Sequence, residues 1–194
     1  MSNKSVFATL GASNHSAESR EENDYYATDP IAIQKLLEFE SFNKNIWECA
    51  CGEGHLSIAL QENGYNVKST DIVDRGFGQG GIDFLKCDNI FEGDICTNPP
   101  YKFAEDFVEH AIRIVPDGSK IAMFLRLQFL EGKRRRKLFE AYPPMYIYIS
   151  SSRINCCKNG DFSDRQRKNN SAQAYGWFIW KKGYIGDTIV RWFN

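Results

Sequence analysis

Nowhere in the 194 residues does an apolar run reach the roughly 20 positions that a membrane-spanning helix needs. Met1-Ser2-Asn3-Lys4 begins no signal peptide, so the expectation is a cytoplasmic protein with no membrane partner. Histidine is scarce, with only His15, His55 and His110. The six cysteines, Cys49, Cys51, Cys87, Cys96, Cys156 and Cys157, stand at spacings that form no zinc pattern, with or without those histidines. No metal is expected, and reduced, buried thiols are. Internal repeats and low-complexity segments are also absent. What remains is ordinary for a globular protein: 42% apolar and 25% charged residues, in a length that suits one domain with a sizeable core. Net charge is nearly absent at −1, but it is unevenly placed. Residues 1–100 carry 7 Lys and Arg against 16 Asp and Glu, a net of −9, and residues 101–194 carry 17 against 9, a net of +8. An acidic half suits a cationic small ligand, and a basic half suits a polyanion.

Residues 1–22 are rich in Ser, Asn, Ala and Glu and read as a mobile tail ahead of a single domain over 23–194. Thr28 or Asp29 can cap a helix with Pro30 at its first position and an apolar stripe of Ile33, Leu36 and Leu37. Residues 45–50 read as a buried strand containing Glu48, running into Cys51-Gly52-Glu53-Gly54-His55 and a helix over 56–63. Strand, Gly-x-Gly turn and helix form a nucleotide-type arrangement, in which glycines let the backbone approach a ligand and the helix N-terminus completes the site. Gly64 ends that helix, and a strand over 65–70 leads to Asp71. That acid is placed for ribose hydroxyls, or else is a solvated turn residue. The glycines at 76, 78, 80 and 81 mark a loop in place of a helix. Asp83 and Phe84 then either meet an adenine ring or, for Phe84, simply join the core.

The chain turns on Asn98-Pro99-Pro100-Tyr101, which follows the apolar run Asp94–Thr97. Each proline fixes φ and removes an N–H, and the residue before each is pushed away from the helical region. The product is a rigid ledge at a strand's C-terminal edge, where open α/β sheets bind ligands. It presents an amide side chain, a carbonyl and an aromatic ring. The exocyclic amine of adenine is a poor nucleophile because its lone pair is delocalised into the ring. Two acceptors holding its hydrogens, the Asn98 side-chain oxygen and the Pro99 carbonyl, would favour a tetrahedral nitrogen. Tyr101 would stack on a base drawn from its duplex.

Beyond the ledge, apolar positions from Phe103 to Val115 recur at helical spacing, and Lys120–Leu125 reads as a central parallel strand leaving through Arg126. Lys133-Arg134-Arg135-Arg136-Lys137 opens a short helix and is either a solvated face or a phosphate contact. Strands follow over 145–149, 174–180 and 188–193. Between the first two lies the long polar segment 150–173 with Arg165 and Arg167, of a length that marks functional or disordered loops.

Glu48-x-x-x-Gly52-x-Gly54, Asp71, Asp83-Phe84 and Asn98-Pro99-Pro100-Tyr101 occur in the order of S-adenosylmethionine-dependent amino-methyltransferases. The chain most resembles the small, phage-type N6-adenine DNA methyltransferases over roughly residues 23–194, with Tyr26-x-Thr28-x-Pro30 resembling their cofactor-binding segment. The resemblance implies an α/β, Rossmann-like sheet of seven mostly parallel strands with one antiparallel strand, here Tyr175–Lys181, and helices on both faces. It implies S-adenosylmethionine as cofactor and in-line transfer to nitrogen without a metal. Asn98 and Pro99 would hold the amine, with Pro100 and Tyr101 completing the catalytic set. Tyr26, Thr28, Pro30, Glu48, Cys49, Ala50, Gly52, Gly54, Asp71, Ile72, Asp83, Phe84 and Asn98 would line the cofactor. Tyr101, Phe103, Arg126, Lys133, Arg134, Arg135, Arg165 and Arg167 would meet the substrate. The partner implied is DNA, with RNA as an alternative. The same ledge serves enzymes that modify RNA bases or a protein glutamine, and a non-catalytic nucleic-acid-binding module is a further reading. There is no room for a separate target-recognition domain.

Overall fold

The computed structural model describes residues 26–152, 154, 156–158 and 173–193. The tail over 1–22, Arg165 and Arg167 lie outside the described residues. Nine strands and four α-helices are formed among those described. In chain order they are β1 (Tyr26–Thr28), α1 (Ile31–Leu37), β2 (Asn45–Glu48), α2 (His55–Glu62), β3 (Asn66–Ser69), β4 (Asp94–Thr97), α3 (Ala104–Ile114), β5 (Lys120–Arg126), α4 (Lys133–Ala141), β6 (Tyr146–Ser150), β7 (Cys156–Lys158), β8 (Tyr175–Lys181) and β9 (Ile189–Phe193).

Seven strands make the main sheet, in the order β3-β2-β4-β5-β8-β6-β9. All pairings are parallel except those of β8, which runs antiparallel to both β5 and β6. The expected antiparallel strand is therefore the observed one. Sequence alternation sorts the core into two layers, because successive side chains of a strand point to opposite faces. Ile121, Met123 and Leu125 of β5 pack with Phe107, Val108, Ala111 and Leu138, so α3 and α4 cover that face. Ala122 and Phe124 pack with Ile33, Leu36, Leu56 and Leu60, so α1 and α2 cover the other. The helical spacing in α3 is thus a core stripe, and Pro116 stops it after Val115 turns extended.

No α-helix stands between β3 and β4. The glycine-bearing loop of 74–81 takes its place, bridged to the sheet through Thr70 and Gln79. The chain passes from β2 to β3 on one side and returns to β4 on the other, so the order reverses at β2. A crevice opens beyond the C-terminal ends of β2 and β4, the usual ligand site of such sheets.

Two details differ from the sequence expectation. Tyr26–Thr28 forms a strand rather than a helix approach, and its antiparallel partner Cys156–Lys158 lies inside the segment read as a polar loop. A pairing between strands of three residues so far apart leaves no local periodicity to read. The first helix is counted from Ile31, with Asp29 Oδ1 accepting its N–H at 3.1 Å. That agrees with Asp29 as the cap, one residue aside. Among the described residues no helix is long and apolar enough to cross a membrane.

Candidate active site

The crevice holds a pocket of about 480 Å³, a volume in the range of small-ligand sites. One wall comes from β2 and the turn after it. The turn is shaped by Gly52 and Gly54, whose φ values of 55° and 87° are left-handed. Asp71 ties this turn to the end of β3. Its Oδ2 accepts the Gly52 N–H at 2.8 Å and its Oδ1 accepts the Val73 N–H at 2.9 Å. Glu48 sits beneath, 2% exposed, and accepts a short hydrogen bond from Ser57 on α2. Ser57 Oγ also lies 2.7 Å from Ser69 Oγ of β3. Two acids from adjacent strands thus converge on the pocket, held by a polar chain that links α2 and β3.

The opposite wall is the ledge. Asn98 Nδ2 donates to the Tyr26 carbonyl at 3.0 Å, which fixes which head of the amide is donor and which is acceptor. Tyr101 opens a short 3₁₀ turn and donates its hydroxyl to Tyr175 Oη at 3.0 Å. The Tyr26 and Tyr101 rings are 5.6 Å apart and tilted by 34°. The Arg126 guanidinium carbon stands 3.9 Å from the Tyr101 ring centre.

Most of the residues singled out from sequence meet here. Tyr26, Thr28, Glu48, Cys49, Ala50, Asp71, Ile72, Asp83, Phe84, Asn98, Pro99, Pro100, Tyr101 and Phe103 all line the pocket. Pro30, Gly52 and Gly54 do not, and shape its walls from behind. Asp83 is turned to local work: its Oδ1 accepts the Leu85 N–H at 3.2 Å, and its Oδ2 lies 2.9 Å from Lys86 Nζ. Phe84 is both wall and core, 2% exposed between Trp47 and Phe107. Lys133, Arg134 and Arg135 stand on α4, away from the pocket. Arg134 pairs with Glu105 of α3 at 3.1 Å. Arg135 donates to the Gln128 carbonyl at 3.1 Å and to the Glu131 carbonyl, closing the turn before its own helix.

The pocket also uses residues that sequence reasoning passed over, among them His55, Arg75, Ile82 and Lys102. His55 and Lys102 directly follow the singled-out motifs, so adjacency was the available signal. Nothing local marks Arg75. Phe77, two residues further on, packs its ring against Gly54: a Cβ built there would lie 2.4 Å from Phe77 Cδ1.

Burial raises the Glu48 carboxyl well above the usual range; the Ser57 hydrogen bond offsets this in part, and the Asp71 charge adds to it. An acid whose folded pKa is raised binds more protons in the native state, so its penalty is felt at neutral pH and relieved as pH falls through that pKa. Glu48→Gln should therefore melt higher than wild type at neutral pH, by about 2–8 °C. The gain should shrink as pH is lowered toward ordinary carboxylate values, as calorimetry across pH would read. A constant difference at every pH would remove the linkage. Cys51, also on the wall, has its thiol pushed up to about 12 by burial and by the Glu48 and Asp71 charges, so it is no thiolate nucleophile at neutral pH. Cys49, Cys51, Cys87 and Cys96 are free thiols, and no metal-binding cluster occurs among the described residues.

This sheet order, with its reversal at β2 and the antiparallel β8, is the class I methyltransferase fold. Solved structures share it at low identity. A candidate hemolysin from Lactococcus lactis is 11% identical, with 84% of this chain and 91% of that one covered and a TM-score of 0.60. A predicted O-methyltransferase from Agrobacterium tumefaciens is 14% identical, with 84% and 85% covered and a TM-score of 0.58. A SAM-dependent O-methyltransferase from Thermotoga maritima is 12% identical, with 88% and 71% covered and a TM-score of 0.52. No protein-family model matches the sequence, and no curated protein does.

Proposed function

We propose that the protein is an S-adenosylmethionine-dependent methyltransferase acting on the N6 amine of adenine in DNA. The observation that carries this reading is that the Asn98–Tyr101 ledge and the acids Glu48 and Asp71 line one pocket. A methyl donor and an amine acceptor must meet within one cavity, and these residue types suit the two halves.

The residues fit such a cofactor. A cavity of about 480 Å³ lined by the buried acids Glu48 and Asp71 and by the apolar Ile72, Phe84 and Leu85 accommodates a cationic nucleoside. When bound, S-adenosylmethionine supplies an electrophilic methyl group on a sulfonium. Asp71 has each oxygen engaged by one backbone N–H, and a carboxylate can accept about four hydrogen bonds, so it can also take ribose hydroxyls. Glu48 offers a carboxyl to the cationic end, and a cation bound there would offset the burial that raises it and favour its charged form. On the acceptor side, the Asn98 oxygen and the Pro99 carbonyl hold the two amine hydrogens. The nitrogen lone pair would then be free for the methyl group that the bound cofactor supplies, and one amine proton would leave past these two acceptors to solvent as the nitrogen is methylated. Tyr101 stacks on the base while this happens.

DNA is favoured by the net +8 of residues 101–194 and by the cation Lys102 beside the aromatic ledge. The test is transfer of labelled methyl from S-adenosylmethionine to unmethylated duplex DNA, with RNA and a protein extract in parallel, followed by nucleoside analysis. N6-methyladenine in DNA is the expected product. Label in RNA or protein would keep the chemistry and move the substrate. No label in any of them, with S-adenosylmethionine still bound, would sink the reading in favour of a binding module.

A further inference from the structure

We infer that Arg126 is the positioning residue of the acceptor site, acting through Tyr101 to hold its ring as a flat stacking surface. This rests on the reading of Tyr101 as the platform for a flipped base. Arg126 ends β5, and its partner across the antiparallel pair is Tyr175 of β8. Tyr175 is 6% exposed, and its ring stacks on Phe124 at 5.4 Å and 17°. It is therefore a fixed point of the sheet. Its hydroxyl oxygen accepts two hydrogen bonds, from Tyr101 Oη at 3.0 Å and from Arg126 Nε at 3.3 Å. The same guanidinium lies 3.9 Å from the Tyr101 ring centre, a stacking distance. Arg126, Tyr175 and Tyr101 so form a closed triangle, in which one side chain is bonded at its tip and covered on one face.

Tyr101 lines the pocket beside Tyr26, whose ring lies 5.6 Å away at a tilt of 34°, and among the described residues Arg126 and Tyr175 do not line it. On this inference the guanidinium backs the Tyr101 ring, so that the pocket side is left to the base. A planar, weakly hydrated cation can lie flat on an aromatic ring while its Nε–H stays in the hydrogen bond; an ammonium offers no plane to do so. The sequence reading placed Arg126 on the substrate. Here it touches the ring that would touch the substrate.

The test uses the full-length protein with Arg126→Ala, Arg126→Lys and Tyr175→Phe, each followed by methyl transfer to unmethylated DNA, S-adenosylmethionine affinity and melting. Arg126→Ala is expected to raise the KM for DNA about tenfold, as partial loss of a base-stacking surface would, with cofactor affinity and melting little changed. Tyr175→Phe should move KM the same way, and Arg126→Lys should not restore it. Rescue by Lys, with the salt dependence of binding changed only in Ala, would make Arg126 a phosphate contact and overturn the inference. So would an unchanged KM, or a cofactor affinity that falls in step with it. A second arm needs no acceptor: 3-fluorotyrosine at position 101 should give a fluorine resonance that shifts and sharpens in Arg126→Ala as the ring loses its backing. An unmoved resonance would overturn the inference even if the wild type methylates DNA. Wild type without transfer would instead sink the proposed function, leaving the fluorine arm to decide the positioning.

Discussion

Asn98→Ala is expected to lower methyl transfer by about 10²–10³-fold in kcat, the usual loss when one preorganised polar contact to a reacting centre is removed. S-adenosylmethionine binding should persist, because Glu48, Asp71 and the glycine turn hold the other end of the pocket. Asn98 does two things that the substitution removes together. Its oxygen is the acceptor for an amine hydrogen in the proposed mechanism, and its Nδ2 donates to the Tyr26 carbonyl at 3.0 Å. Asn98→Asp separates them. A carboxylate still accepts, but it cannot donate to Tyr26 and sets a negative charge against that carbonyl. Its transfer rate should fall between wild type and Ala, with a larger effect on the wall formed by β1 than on the chemistry. Single-turnover rates with DNA, beside calorimetric titration of the cofactor, would read both. Transfer by Asn98→Ala at the wild-type rate would end the amine-holding role outright.

Gly54→Ala carries the largest expected effect on stability. The residue has φ of 87°, a region where an L side chain costs roughly 1–2 kcal/mol. The new Cβ would also lie 2.4 Å from Phe77 Cδ1, and relieving such overpacking costs typically about 1–3 kcal/mol. Together these make roughly 2–5 kcal/mol, or a melting temperature lower by on the order of 10 °C for a domain of this size. Phe77→Ala in the Gly54→Ala background should return the steric share and leave the backbone share, so the cycle would not be additive. Additive losses would mean the ring and the turn do not meet in solution. Cofactor affinity should fall with the single Gly54→Ala change, since the turn it distorts carries the N–H that Asp71 accepts.

The strands and helices of the main sheet were legible because their signals are local. Ile121–Leu125 is apolar throughout, as a strand buried on both faces must be, and Phe107, Val108, Ala111 and Ile112 repeat at the period of a covered helix. The ledge was legible because two prolines leave few conformations to choose from. What escaped depends on contacts between distant parts of the chain. Tyr175 reads as one more strand residue until the register with Arg126 brings its hydroxyl to Tyr101. The Gly-x-Gly turn suggests close approach of a ligand, and nothing in it announces that Gly54 also meets Phe77 from the loop after β3. The basic run reads as either a solvated face or a phosphate contact, and it gives no hint that Arg135 turns onto backbone carbonyls or that Arg134 pairs with an acid of α3. A run of like charges states composition; only the fold says which of them are already spoken for.

The small ribbon of β1 and β7 has a kinetic meaning. Among the described residues three pairs join Tyr26–Thr28 to Cys156–Lys158, and they close a very long loop of chain. Such a seam should open by itself, far more often than the whole molecule unfolds. In deuterated water the backbone amides of this seam should then exchange early, while those of β5 and β8 wait for global unfolding. Each opening takes the Tyr26 carbonyl away from Asn98, so the wall beside the acceptor amide would breathe on its own clock while the sheet behind it stays shut.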